Sequence, residues 1–278
     1  MSKIDINMIK GPFQHDICSS ALNNNRYVEW KKDKSANISC HIDYGLLDNI
    51  DHTKENYGWI CESSAIVPSV IKEVIKNKEA YKKKFKYIFT CDSRIVNLDK
   101  DLFKFTMPSA LPWIQNKQIY KKTKLVSFIG SNKKMCKGHL YRQEMIAKYK
   151  DEVDHYGRGF NNKELPWMIE KESGKILGLK DYMFSFAMEN TNHEYAFCEK
   201  TTDCFATGTI PIYWGGKGIE KYFNKDGIIF IEDLDAISSL TEELYYSKMD
   251  AINENFNKLE NLVSSEDYFA KNHMGEHL

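Results

Sequence analysis

No stretch of this 278-residue sequence reaches about 18 consecutive apolar residues, the length that would mark a membrane-spanning helix. The opening MSKIDINMIKGPF also lacks the apolar centre of a secretory leader, so neither a span nor a cleaved signal is expected. Net charge is missing as well. Lys and Arg total 39 and Asp and Glu total 39, whereas a chain holding nucleic acid through bulk electrostatics carries an excess of cations. Any phosphate must therefore be met locally, by a few placed Arg and Lys. The one dense basic run, KNKEAYKKKFK from Lys76 to Lys86, reads as a solvated helix face. The seven cysteines (18, 40, 61, 91, 136, 198 and 204) are odd in number and include no CxxC pair and no Cys/His zinc spacing. They describe free thiols in a reducing, cytoplasmic compartment rather than a disulfide framework. Repeats and low-complexity tracts are absent too.

What is present is alternation of strand and helix patterns. RYVEW (26–30), ANISCHIDY (36–44), NYGWICES (56–63) and FKYIFTCD (85–92) read as strands, with a helix opened by Pro68 and running to about Lys84. MPSALPWIQNK (107–117) holds two of only six prolines and fits a crossing between domains. After it come strands in LVSFI (125–129), VDHYGRGF (153–160, a strand passing into a loop), YMFSFAMEN (182–190, a strand with a polar exit), IPIYWGG (210–216, a strand and glycine loop) and GIIFIEDL (227–234). Helical spacing lies between them at 138–152 and 199–207, and helices close the chain. That alternation predicts α/β units on mainly parallel sheets.

In such sheets ligands bind beyond the carboxyl ends of the strands. The residues placed there are Ser131 and Asn132, then Arg158 between Gly157 and Gly159, then Glu189 and Asn190, then Gly215 and Gly216. Glu199 and Lys200 start the following helix, whose free N–H groups already favour an anion. A lysine there and an arginine fork nearby suit a pyrophosphate, and a carboxylate beside the lysine suits a ribose diol. The competing readings are a helix-end surface pair for Glu199–Lys200 and a surface loop arginine for Arg158.

The segment FSFAMENTNHEYAFCEKTTDCFATGTIPIYWGG resembles the signature of the family 10 glycosyltransferases, the α1,3/α1,4-fucosyltransferases. The match runs through Phe186, Glu189-Asn190, Glu199-Lys200 and Gly208-Thr209-Ile210-Pro211-Ile212-Tyr213-Trp214-Gly215. It extends more weakly to SFIGSNK with Arg142, to the YGRG loop and to WICES. The resemblance implies a GT-B architecture, two Rossmann-like domains facing across a cleft. Residues 1–118 would bind the acceptor, 119–265 the nucleotide-sugar donor, and 266–278 would form a C-terminal tail.

It further implies an inverting transferase that moves a sugar, with L-fucose from GDP-fucose as the expected donor, to a hydroxyl of a glycan acceptor, releasing GDP. The same mechanism with another nucleotide sugar, or a catalytically silent glycan- or nucleotide-binding protein, stands as the alternative. Carried over by residue, Lys200 and Arg158 hold the diphosphate and Glu199 the ribose. Asn190, Tyr195, Ser131 and Asn132 line the donor site. Glu62, at the tip of WICES, is the general base, against a bland reading as a loop carboxylate. Cys198 stands where the family often has Thr, and Ala196 where some members have Tyr. No cofactor or divalent metal is expected to be required: Asp233-Leu-Asp235 has the pattern of a metal-holding motif but reads as a turn that caps a helix. The chain has no stem, so a soluble enzyme of bacterial or viral type is expected, with no nucleic-acid partner; the sequence is silent on oligomeric state.

Overall fold

The computed structural model describes residues 2–11, 17–158 and 164–278. Two compact units emerge, residues 1–109 together with 263–278, and residues 110–262. The division at 109/110 falls inside the proline stretch, and the last sixteen residues return to the first unit instead of standing as a tail.

In the first unit six strands lie parallel: β1 (Ile4–Ile9), β2 (Val28–Lys31), β3 (Ile38–Ile42), β4 (Glu55–Ile60), β5 (Ile88–Thr90) and β6 (Phe103–Phe105). Their spatial order is β2-β1-β3-β4-β5-β6. β1 is a strand that the sequence pattern does not announce. Its Asn7 is fully buried, and the amide donates to the Ala36 carbonyl at 2.8 Å and to Ser39 Oγ at 3.0 Å. A polar residue satisfied by the neighbouring strand interrupts the apolar run that would have marked a central strand. The helical stretch from Pro68 forms as α1 (Pro68–Lys76) and α2 (Lys78–Lys82), split at Asn77, which leaves the helical region at φ −112°, ψ 27°. Proline at the first helical position costs no hydrogen bond, because that N–H would have no partner in any case. α3 (Ser93–Val96) follows β5.

The second unit has β7 (Lys124–Ile129), β8 (Asp154–Tyr156), a short antiparallel hairpin β9 (Met168–Ile169) and β10 (Glu172–Ser173), then β11 (Tyr182–Met188), β12 (Ile210–Trp214) and β13 (Ile229–Phe230). All but the hairpin form one parallel sheet in the order β13-β12-β11-β7-β8. Every residue of β11, YMFSFAM, is buried, as expected for a strand covered on both faces. The helices are α4 (Lys137–Lys148), α5 (Glu199–Thr207), α6 (Glu242–Ser247) and α7 (Met249–Lys258). α8 (Ser265–His273) belongs to the first unit. There Phe269 stacks on Phe89 with centroids 4.4 Å apart, and Glu266 accepts from Ser19 N at 2.6 Å and Ser19 Oγ at 2.8 Å.

Both sheets share one topological property. In each, the first strand lies between the second and the third, so the winding direction reverses beside it: between β1 and β3 in one unit, between β7 and β11 in the other. Such reversals open a crevice at the carboxyl ends of the strands, where ligands of α/β proteins bind.

Candidate functional site

At the second unit's reversal, β7 exits into Gly130-Ser131-Asn132 and β11 into Glu189-Asn190. β8, on the outer side of β7, exits into Gly157-Arg158. Gly157 has φ 117°, and a Cβ on it would run into the Gly130 carbonyl oxygen, so only glycine lets these two loops touch. The contact is completed by Gly130 N donating to the Tyr156 carbonyl at 2.9 Å and Asn132 N to the Arg158 carbonyl at 3.1 Å. Arg158 itself is exposed. Gly159, on its other side, lies outside the described residues. Ser131 is tied through its carbonyl, which accepts from Gln143 Nε2 at 2.8 Å.

α5 begins at Glu199 with Cys198 as its extended N-cap. Glu189 reaches that cap from β11: its Oε1 accepts from Cys198 N at 3.0 Å, and its Oε2 lies 3.0 Å from both Cys198 Sγ and Lys200 Nζ. Lys200 Nζ is also 2.9 Å from Cys198 Sγ. Burial works against the Lys200 charge, but the Glu189 and Glu199 carboxylates outweigh it and hold the ammonium well above its ordinary range. Cys198 is also pushed up, by burial and by Glu189, so it stays a neutral thiol.

Glu199 has a different partner. Lys175, in the turn after β10, lies 3.0 Å from Glu199 Oε1 and 3.0 Å from Asp203 Oδ2, one helical turn further on. Its ammonium also sits 4.0 Å from the centroid of the Trp113 ring. Asp203 is itself buried, and its Oδ1 accepts from Trp113 N at 2.6 Å and Ile114 N at 3.0 Å. Burial opposes the Glu199 charge, yet Lys175 and Lys200 bring its pKa down to about 2. Two hydroxyls of the first helical turn, Thr201 and Thr202, are buried without a hydrogen-bond partner.

Asn190 lies beside this network. Its Oδ1 is 3.4 Å from Arg142 Nη2, which also donates to the Met188 carbonyl at 3.2 Å. Burial lowers the pKa of that arginine, while Glu189 favours its charge. The structure thus brings Cys198 and Lys200 to Glu189, ties Glu199 to Lys175 and Asn190 to Arg142, and joins Asn132 to Arg158 through backbone. Tyr195 is set apart: its hydroxyl accepts from Lys221 Nζ at 3.0 Å. Among the described residues no ion pair links Arg158 to the α5 network. Asp233 closes a 3-10 turn, Ile231–Asp233, with Asp235 in the loop that follows.

In the first unit Glu62 stands two residues past β4, half-buried, with its backbone N donating to Asp43 Oδ1 at 3.1 Å. Asp43 is the residue after β3.

The sequence profile of glycosyltransferase family 10 (fucosyltransferase), C-terminal part, matches residues 119–265. The chain belongs to glycosyltransferase family 10. An α-(1,3)-fucosyltransferase of Helicobacter pylori is 31% identical over 68 residues, 24% of this chain and 14% of that one. A fucosyltransferase-like protein of Arabidopsis thaliana is 27% identical over 104 residues, 37% of this chain and 19% of that one. The matched stretches therefore span less than a fifth of these relatives. Among solved structures, an α1,3-fucosyltransferase with GDP superposes with a TM-score of 0.50 at 13% identity, covering 92% of this chain and 81% of that one. At that identity the likeness concerns the fold: this family 10 chain is of the GT-B class, an α/β protein with two parallel-sheet, Rossmann-like units. Among its described residues no helix is long and apolar enough to cross a membrane.

Three groups at the strand exits of the two units escape sequence reasoning. Lys175 lies 24 positions before Glu199, and no local pattern joins them. Asp203 carries a readable signal, an acid four residues after Glu199 on a helix whose other residues bury, which demands a cation. Asp43 gives no signal at all, because its peculiarity is a backbone conformation.

Proposed function

We propose that the chain is an inverting glycosyltransferase that moves L-fucose from GDP-fucose to a hydroxyl of a glycan acceptor. The observation that carries the reading is the head of α5 at the second unit's sheet reversal, with Lys200 and Glu199 on the first turn of the helix and Asn190 on the adjoining strand exit. A helix N-terminus with an ammonium is an anion site, and the related enzyme of known structure is one solved with GDP.

On this reading residues 119–265 bind the donor. Lys200 and Arg158 take the diphosphate, and Glu199, kept ionised by Lys175, accepts from the ribose hydroxyls. Asn190, Tyr195, Ser131 and Asn132 line the remainder. Residues 1–118 bind the acceptor and supply Glu62 as general base. Glu62 takes the proton of the acceptor hydroxyl as that oxygen bonds to the anomeric carbon on the face opposite the departing GDP. The carbon–oxygen bond to the diphosphate breaks with its electron pair, and the charge that grows on GDP is met by Lys200, Arg158 and the N–H groups of α5. With that stabilisation supplied by the chain, turnover is expected to survive chelation of divalent metals. The seven unpaired thiols fit a reducing compartment, so we place the enzyme in the cytoplasm.

The test is nucleotide release from a panel of GDP- and UDP-sugars, with and without glycan acceptors. Release of GDP from GDP-fucose, raised by an acceptor, is the expected result. No release from any donor would sink the enzymatic reading, and release from UDP-sugars alone would sink the assignment of GDP-fucose.

A further inference from the structure

The sheet reversal of the first unit contains a group to which the proposed mechanism gives no task. Asp43 follows the last residue of β3 with φ 47°, in the left-handed region where a side chain other than glycine is strained. It is 3% exposed. Its Oδ1 accepts from two successive backbone N–H groups at the exit of β4, Cys61 at 2.9 Å and Glu62 at 3.1 Å. Its Oδ2 is buried with no hydrogen-bond partner, and among the described residues no cation pairs with it. Asp92, at the exit of β5, shows the ordinary arrangement: it caps α3 and is paired with Arg94 at 2.5 Å. The turn that carries Asp43 cannot shift easily. A Cβ on Gly45 would lie 2.7 Å from the Ile9 carbonyl oxygen, so the turn is pressed against the end of β1.

A clamp on two N–H groups needs one acceptor oxygen. Asparagine supplies it, and it tolerates left-handed backbone as readily as aspartate. What the carboxyl adds is a second oxygen that can ionise, and that is the oxygen left unpartnered beside the turn of Glu62. Buried carboxylates without a cation are costly and concentrate where chemistry is done.

We infer that Asp43 is a positioning residue for Glu62: it fixes the turn that bears the base and couples to it as a second carboxyl, setting how strongly Glu62 takes a proton. The inference rests on the reading of Glu62 as general base. Burial pushes Asp43 up to about 7; the Glu62 charge adds to that, and the two N–H donors oppose it. Among the described residues, the thiols of Cys40 on β3, Cys61 past β4 and Cys91 past β5 also feel the Asp43 charge; all are raised by burial and neutral near pH 7, and the Glu266 carboxyl acts on the first two as well. Below about pH 7 Asp43 therefore keeps its proton. Above it both carboxyls are ionised, their repulsion raises the proton affinity of Glu62, and turnover rises.

The experiment uses the full chain with the donor and acceptor selected in the nucleotide-release panel, and measures kcat from about pH 5.5 to 9. The wild type is expected to show a rise in kcat centred near neutrality. Asp43→Asn keeps the acceptor oxygen and is expected to stay folded, to lower kcat about tenfold and to lose that rise. Asp43→Gly relaxes the backbone while removing the clamp, and is expected to stay folded with a larger loss. Wild-type kcat and an unchanged pH profile in Asp43→Asn, or wild-type kcat in a folded Asp43→Gly, would overturn the inference. Wild-type activity in Glu62→Gln would overturn the reading of the base itself. An inactive Glu62→Gln beside a wild-type-like Asp43→Asn would remove only the coupling argued here.

Discussion

The two units wind their strands alike and treat the reversal point in opposite ways. In the second unit β7 and β11 open onto a network in which nearly every charge is answered. Lys200 meets Glu189 at 3.0 Å, and Lys175 meets Glu199 and Asp203 at 3.0 Å each. In the first unit the same topological position holds one buried carboxyl with an unpartnered oxygen on a strained backbone. Topology supplies a place where strand ends and loops converge, and side chains decide what the place can do. On the proposed reading, the network at the helix start exchanges its internal partners for an anion and a diol. A buried carboxyl that is reluctant to ionise, set beside the turn of Glu62, suits the acid–base role inferred above.

The contrast can be broken most forcefully by removing what holds the first unit together. Phe269 is fully buried against Phe89 and meets Trp59 edge-on at 5.6 Å. Phe269→Ala should cost about 4 kcal/mol of stability. Hydrogen exchange should show the loss in residues 1–109 and spare 110–262; uniform loss across both would mean that they unfold as one body. Next come the proposed chemical roles. Glu62→Gln should lower kcat about a hundredfold or more at unchanged donor affinity, whereas Lys200→Ala should weaken donor binding and leave Glu189 without its cation. If both variants change kcat alone, the division of labour between the units is wrong.

A smaller effect, about tenfold in the donor KM, is expected for Lys175→Met, with recovery in Lys175→Arg. A 3′-deoxyribose donor should discriminate the route: the wild type should prefer the full diol, and Lys175→Met should have lost that preference. Equal loss for both donors would make Lys175 a structural residue only.

The smallest effect is on stability against pH, and it should run in opposite directions. Glu199 is lowered from 4.5 to about 2, so its contribution is complete above pH 4.5 and vanishes as pH falls through about 2. Asp43 is raised from 3.8 to about 7, so its contribution is complete below pH 3.8 and vanishes as pH rises through about 7. Urea midpoints of Glu199→Gln should lose dependence on the acid side, and those of Asp43→Asn on the neutral side. Parallel curves for the two variants would refute the opposition.

Much of the second unit is legible in the sequence because its strands are buried on both faces and its loops end in short polar tips. YMFSFAMEN and IPIYWGG announce both the strand and its exit. The first unit is harder to read. Asn7 disguises β1, and without β1 the reversal beside β3 cannot be inferred, so the sequence offers no reason to look at Asp43. Cys198 is recognisable as a departure from threonine, yet only the structure shows its sulfur between Glu189 and Lys200. Glu199 and Lys200 look like a pair and are not one: each is held by a partner distant in sequence, because a buried charge is satisfied by whatever the packing brings near it.

The return of residues 263–278 to the first unit also sets an order of events during synthesis. The second unit is one continuous stretch, and all of it leaves the ribosome before α8 does. The first unit is begun first but lacks Phe269, the Glu266 anchor for Ser19 and the Asp267 carboxylate that takes Arg26 N and Tyr27 N at 2.8 and 2.9 Å until residues 263–278 are made. The usual sequence of amino-terminal domain first is thereby reversed. A chain lacking α8 would have a complete second unit and a first sheet without these contacts.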